Sequence, residues 1–358
     1  MKQIIHKSQK YPYIDALRGI AVLLVLLVHC SQNVMVYPKW FQYFINNGAK
    51  GVQLFYIVSA LTLFISFNNN KYECNYYKKF FLKRFFRIAP LFYFAIIWYN
   101  FILQPIELTN INEFFRILSG FTFTLGFSPK WINRVTPGSW SIAVETTFYI
   151  LIPLLFLFVK NLKHAVKLLL FTLFFSLFFN YILINNFNFN SSSVLQEYVY
   201  INFVSQMPYF ISGIILYFLT IDQNSIFVLT RWEYIKFVVM LLIYEFFHYY
   251  LFGYFNITFI VLTGFIYLIY FYQFKIFVNK FICFIGKVSF SIYLMHFTTL
   301  FLLSKIRLTK LTEYITLNFF IKYILLFLIS LAISYLTYLI IEKNGLKFGK
   351  KIINTIDK

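Results

Sequence analysis

An arginine and a histidine eleven residues apart, Arg18 and His29, are the first pair in this chain whose types and spacing could do chemistry. On a helix that spacing puts them within about 20° of one face and about 16 Å apart along the axis. An imidazole can take a proton from a hydroxyl or carry a transferred group. A guanidinium can hold an anion or stabilise a developing oxyanion. Asp15 stands one turn before Arg18 and can pair with it. Two plainer readings stay open: Arg18 as a snorkelling anchor and His29 as a core imidazole bonded to a carbonyl.

Further along, Arg84-Phe-Phe-Arg87-Ile-Ala-Pro90 places two guanidiniums on one helix face. Paired forks of this kind suit phosphate groups. Lys78, Lys79 and Lys83 thicken the cluster, and helix orientation and lipid contact account for those lysines. Gly51, Phe55 and Ser59 recur every fourth residue; for Gly51 helix packing is the preferred reading. The stretch Gly138-Ser139-Trp140-Ser141 leads into Glu145, one turn on from Ser141 on the same face. A carboxylate there could orient an imidazole, and Glu145 is a better candidate for His29 than Asp15, about 21 Å along the same helix. Ser289, Ser291, Tyr293 and His296 form a polar helical stretch, readable equally as interhelical hydrogen-bonding glue or as a site. Glu245 and His248 resemble half of a di-iron motif without a second copy, and a local ion pair is the expected reading. No metal is expected.

These residues need elements to hold them, and composition says which. The 358 residues are 60% hydrophobic and only 12% charged, with a mean hydropathy of +0.72. A soluble domain carries about twice that share of charge. The balance excludes an ordinary soluble enzyme, a disordered chain and a disulfide scaffold; it fits an all-α polytopic membrane protein. The net charge of +20 comes from lysines and arginines that flank apolar runs. Membrane orientation explains them, and no nucleic-acid partner is expected. Cys30, Cys74 and Cys283 form no framework and read as unpaired thiols.

Apolar runs fall near 13–35, 48–67, 86–104, 114–127, 140–159, 165–185, 202–221, 234–252, 255–273, 288–304 and 319–341. The fourth is short and carries Arg116, so it reads as an interfacial or re-entrant piece. With that piece not spanning, the basic loops fall on one side, and only Lys39, Lys50, Arg116, Lys130, Arg134, Lys305, Arg307 and Lys310 remain on or near the other. The expectation is about ten transmembrane helices with both termini cytoplasmic. A basic tail of 1–10, a membrane domain of 11–345 and a basic tail of 346–358 complete the division, with Asn185 to Ser193 as an external loop.

Taken in order, six features resemble the acyltransferase-3 family of membrane acyltransferases. They are Asp15-x-Leu17-Arg18-Gly19 with His29, Gly51-x-x-Leu54-Phe55-x-x-x-Ser59, and Arg84-x-x-Arg87-Ile-x-Pro90. Then follow Ser139-Trp140-Ser141-x-x-x-Glu145-x-x-Phe148-Tyr149-x-x-x-Pro153, Ser289-x-Ser291-Ile-Tyr293-Leu-x-His296, and Ile341-Glu342. Ala60 and Asn344 depart from residues usual in the family, and the esterase-like domain fused to some relatives is not present in this sequence. The resemblance implies acyl-CoA-dependent O-acylation, usually acetylation, of a cell-envelope carbohydrate at the bacterial cytoplasmic membrane. On that reading Arg84 and Arg87 hold the phosphates of acetyl-CoA. His29 is the catalytic residue, with Glu145, Arg18 and Asp15 beside it in function. Ser59, Ser139, Trp140, Ser141, Tyr293 and His296 support the site. The acceptor is a surface polysaccharide, such as lipopolysaccharide O-antigen, or a lipid-linked glycan; direct transfer and an acyl-histidine both stay open. Membrane lipid is the other expected partner.

Two rivals belong to other classes. A transporter or flippase of a lipid-linked sugar predicts half-repeats or matched broken helices, which the sequence does not display. A lipid-dependent glycosyltransferase predicts an early acidic external motif, whereas Gln32 to Asn47 contains no Asp or Glu.

Overall fold

Inside a bilayer every backbone N–H and C=O needs a partner within the chain, and consecutive helices are one of two ways to supply it. The computed structural model describes residues 11–31, 37–106, 110–186, 193–222, 231–252, 256–305 and 314–356. Among them are α1 (Pro12–Ser31), α2 (Lys39–Asn46), α3 (Gly51–Asn70), α4 (Tyr76–Ile97) and α5 (Ile111–Phe121). Next come α6 (Ser139–Phe158), α7 (Leu162–Asn186), α8 (Ser193–Ile201), α9 (Phe203–Thr220) and α10 (Arg231–Phe252). The last five are α11 (Thr258–Tyr272), α12 (Lys280–Lys287), α13 (Ser289–Lys305), α14 (Ile315–Thr337) and α15 (Lys343–Ile356). The 1–10 tail, most of the expected loop from Asn185 to Ser193, and the basic positions Arg307 and Lys310 lie outside the described residues.

Eight helical stretches are long and apolar enough to cross a membrane, and the bent pair α12–α13 makes a ninth. The shorter apolar helix α11, 15 residues long, would bring the count to the expected ten. The short fourth run is α5, an 11-residue helix with Asn110 as its cap: the Asn110 side chain accepts from the Asn112 amide at 2.9 Å. Within the expected first external loop, residues 39–46 form α2.

Helices α1, α3, α9 and α13 form the interior; α1 packs chiefly on α12 and α3, α3 on α9, and α13 on α14. Small residues let the backbones close. A Cβ at Gly51 would meet the Ala21 carbonyl oxygen at 2.4 Å, and one at Gly286 would meet the Asp15 carbonyl oxygen at 1.7 Å. Only close α1–α3 and α1–α12 crossings produce such contacts. On the outside, Phe158, Phe178, Leu242, Phe246 and Leu336 are exposed. Such a girdle suits acyl chains, not water.

Three local breaks shape the interior. The chain turns by 75° between α12 and α13, so Ser289 begins a new helix deep in the bundle. The sequence reading anticipated no broken helix. This one has no counterpart at a matching position among the described residues, as paired repeats would require. A π-helical turn, Trp98–Leu103, extends α4, and another, Tyr338–Glu342, joins α14 to α15. The segment expected as a basic tail, 346–358, is helical through Ile356 and lies along α4.

Candidate active site

The sequence-selected residues divide between two cavities. The first, of about 670 Å³, is lined by Arg18, Ser59, Arg84, Arg87, Glu145 and Tyr293, among others. Arg18 reaches it from α1, pairing with Asp15 at 3.7 Å and donating to Thr62 Oγ1 at 3.5 Å. Arg84 and Arg87 come from one face of α4, as their spacing predicts. The Arg84 guanidinium lies over the rings of Phe80 and Tyr149, 5.6 Å from each centroid. Its Nε is buried without a hydrogen-bond partner among the described residues.

Glu145 stands in this same cavity. Its Oε1 accepts from Ser59 Oγ at 2.8 Å and from Tyr149 Oη at 2.6 Å. The expectation that it orients His29 is corrected here: α6 turns Glu145 toward α3 and α4, and its bonds go to Ser59 and Tyr149. Asp15 is likewise taken by Arg18 and does not serve His29. The break before α13 adds Ser289 and Phe290 to the lining. The first-turn amides of a helix lack intrahelical acceptors and favour anions. Behind Arg87, Glu342 in the second π turn accepts from Ser291 Oγ at 2.6 Å. Three guanidiniums against one carboxylate in the lining, with an orphaned Arg84 Nε, fit a phosphate-bearing ligand.

The second cavity, about 1460 Å³, contains His29 along with Asn100, Arg116, Gly138, Trp140 and Phe297 in its wall. His29 has an ionisable neighbour, but it is His296, with ring centroids 5.1 Å apart; Phe297 closes the other side at 4.7 Å. His296 is fully buried. Its Nδ1 lies 2.7 Å from the Tyr293 carbonyl oxygen, so that nitrogen carries the proton and Nε2 holds the lone pair. Nε2 has no hydrogen-bond partner among the described residues. The first π turn latches this wall: Tyr99 Oη donates to the Leu294 carbonyl at 2.8 Å and accepts from the Thr298 amide at 3.1 Å.

Between the cavities stands a short polar partition. Tyr293 Oη donates to the Gly138 carbonyl at 3.0 Å, and Ser141 Oγ donates to Tyr293 Oη at 2.7 Å. Ser141 and Tyr293 face the arginines, while Gly138 faces the His29 side. Gly138 has φ +75°, a conformation that favours glycine, and it starts α6 at this point. Trp140 lines the His29 cavity, whereas Ser139 lines neither and donates to the Ile132 carbonyl at 3.0 Å, holding the turn before α6.

Sequence reasoning passed over Arg116 as a site residue. It is buried, donates to Asn100 Oδ1 at 3.0 Å and to the Arg134 carbonyl, and pairs with Glu113. Its place in the shortest apolar run was the available signal. The expected Glu245–His248 ion pair is also corrected. Glu245 accepts from the Asn256 amide at 2.8 Å, while the His248 ring packs on Tyr244 and Phe252.

Long apolar helices packed around two interior cavities define a multi-pass membrane protein. The chain belongs to the acyltransferase 3 family, whose acyltransferase domain matches residues 11–339. It is 29% identical over 189 residues to the peptidoglycan O-acetyltransferase OatA of Listeria monocytogenes serovar 1/2a (strain ATCC BAA-679 / EGD-e). That match covers 48% of this chain and 29% of the relative, so the chain spans well under two thirds of that protein. No solved structure matches.

Proposed function

We propose that this protein is an acyl-CoA-dependent O-acyltransferase, specifically an O-acetyltransferase, acting on a hydroxyl of a cell-envelope carbohydrate from a multi-pass position in the bacterial cytoplasmic membrane. The observation that carries the reading is the pair of cavities: three arginines on one side of the Tyr293–Ser141–Gly138 partition and His29 on the other. The positive-inside rule puts the basic loops, and with them the arginine cavity, on the cytoplasmic side. Acyl-CoA is available there, and envelope glycans lie across the membrane.

Arg84 and Arg87 hold phosphate oxygens of acetyl-CoA, and Arg18 stands deeper, where it can steady the thioester carbonyl as charge builds on oxygen. Glu145 keeps Arg18 and Arg84 from repelling one another across the cavity. His29 takes the proton of the acceptor hydroxyl. That oxygen attacks the acyl carbon, the C–S bond breaks, and the leaving thiolate takes up a proton, so an ester and a free thiol result. His296 positions the His29 ring by packing against it, ring centroids 5.1 Å apart. The relative acts, by its name, on peptidoglycan; a carbohydrate acceptor is the corresponding reading here.

The test supplies acetyl-labelled acetyl-CoA and envelope glycans to membranes containing the protein. The reading expects label in alkali-labile ester on glycan. No label, with folded protein verified, contradicts it.

A further inference from the structure

A third cavity, of about 730 Å³, opens among α7, α8, α9 and α10 and the turn that precedes α3, at the helix ends away from the basic loops. Its polar lining includes Lys50, Asn180, Gln196, Ser205, Gln206 and Asn256. Asn180 and Gln206 are buried. Polar side chains at membrane depth cost several kcal/mol unless satisfied, and those facing a cavity mark function by default.

Most of this lining bonds to itself. Asn180 Nδ2 donates to Ser205 Oγ at 2.9 Å, Gln53 Nε2 donates to Gln206 Oε1 at 3.1 Å, and Asn256 Nδ2 donates to Tyr244 Oη at 3.1 Å. Helix glue alone would account for those bonds. It does not account for Lys50. The ammonium lies 5.8 Å from the centroid of the Tyr200 ring and makes no ion pair among the described residues. None of the acidic side chains on the lining helices pairs with it among the described residues: Glu197 accepts from Asn133 Nδ2 at 2.5 Å, Glu233 pairs with Lys163, and Glu245 accepts from the amide of Asn256 in the cavity wall at 2.8 Å. Gln53 Oε1, fully buried behind the wall, also has no donor among the described residues.

Amide and hydroxyl groups around aromatic faces suit a polyhydroxylated ligand, and a lone ammonium asks for an anion. The cavity also adjoins the one that holds His29. Tyr200 lines this cavity, Trp140 lines the other, and their ring centroids are 6.4 Å apart. We propose that this cavity is a second saccharide subsite, one that takes a sugar unit bearing an anionic group and so presents a neighbouring hydroxyl toward His29. The anion can be a sugar carboxylate or the phosphate of a prenyl-linked sugar. The purpose of the subsite rests on the acyl-transfer reading; its binding does not.

The test measures binding to the full chain in lipid nanodiscs without any acyl donor. The probes are a uronic-acid disaccharide, its neutral counterpart of the same linkage, and a prenyl-phosphate-linked monosaccharide. Wild type is expected to bind an anionic probe about tenfold tighter than the neutral one. Lys50→Gln abolishes that preference and Lys50→Arg retains it. Whichever anionic probe shows the pattern names the source of the charge. Equal binding of all three probes by wild type, no binding of any, or an undiminished preference in Lys50→Gln overturns the subsite. Transfer is assayed separately. Anion-selective binding without transfer sinks the acyl-transfer reading and leaves the subsite standing; transfer without selectivity sinks the subsite alone.

Discussion

Ser141 donates to Tyr293 at 2.7 Å, and this one contact separates a cavity lined by three arginines from the cavity that holds His29. On the proposed function, an acyl group moving from a cytoplasmic donor to an external acceptor has to pass it. Tyr293 lines the arginine cavity, and its hydroxyl ties α13 to the start of α6 through Gly138.

Removing the Tyr293 ring joins the two levels. Tyr293→Ala admits water to the thioester, because exclusion of water is what suppresses side reactions in a closed site. Release of free CoA in the absence of glycan is expected to rise about tenfold over wild type. A thiol-reactive dye reads the release, and an unchanged release argues against a partition role.

The roles of the two imidazoles and of Glu145 separate in the kinetics of their variants. His296→Gln, which removes the ring packed against His29, lowers kcat about 10²-fold and displaces the pH profile. Glu145→Gln leaves the shape of that profile alone and raises the KM for the donor, since its carboxylate serves the arginine cavity. A displaced profile in Glu145→Gln would restore it as the partner of His29.

Helix α15 bears on the donor side through Gly349. A Cβ there would meet Phe86 Cβ at 2.6 Å, and Phe86 stands between Arg84 and Arg87 in sequence. Gly349→Leu is expected to cost about 1–3 kcal/mol by overpacking and to raise the donor KM several-fold while sparing acceptor KM. Matched effects on both KM values would mean a general loss of fold.

Ser291 gives a stability test. Its hydroxyl donates to buried Glu342 at 2.6 Å. Ser291→Ala strips a hydrogen bond to a carboxylate, worth about 1.5–3 kcal/mol. The melting temperature in detergent should fall, and an unchanged value would show that Glu342 is held without it.

Much of this was legible from residue order. Apolar runs announced the long helices because a span needs about 20 apolar residues. Arg116 marked the fourth run as exceptional, and α5 is indeed short. The pairings of Asp15 with Arg18 and of Arg84 with Arg87 on one face follow from helical period alone. What failed was neighbourhood. Glu145 was assigned to His29 because both read as belonging to the outer half, but the rotation of α6 against α3 decides its partners, and no period encodes that. His296 beside His29 depended on α13 packing on α1. The break at Val288 has Gly286 two residues before it, but one glycine beside an apolar run does not by itself announce a 75° turn. The third cavity draws its lining from α7, α8, α9 and α10 and from Lys50 just before α3, so no local motif pointed to it.

The central claim is the split between a donor cavity and a base across the partition. The direct test compares transfer of label from acetyl-CoA to glycan by wild type, His29→Ala and Arg84→Ala/Arg87→Ala, at matched protein. The account predicts that the arginine variant recovers at high donor concentration while His29→Ala stays inactive at every concentration. Transfer by His29→Ala at the wild-type rate would contradict it.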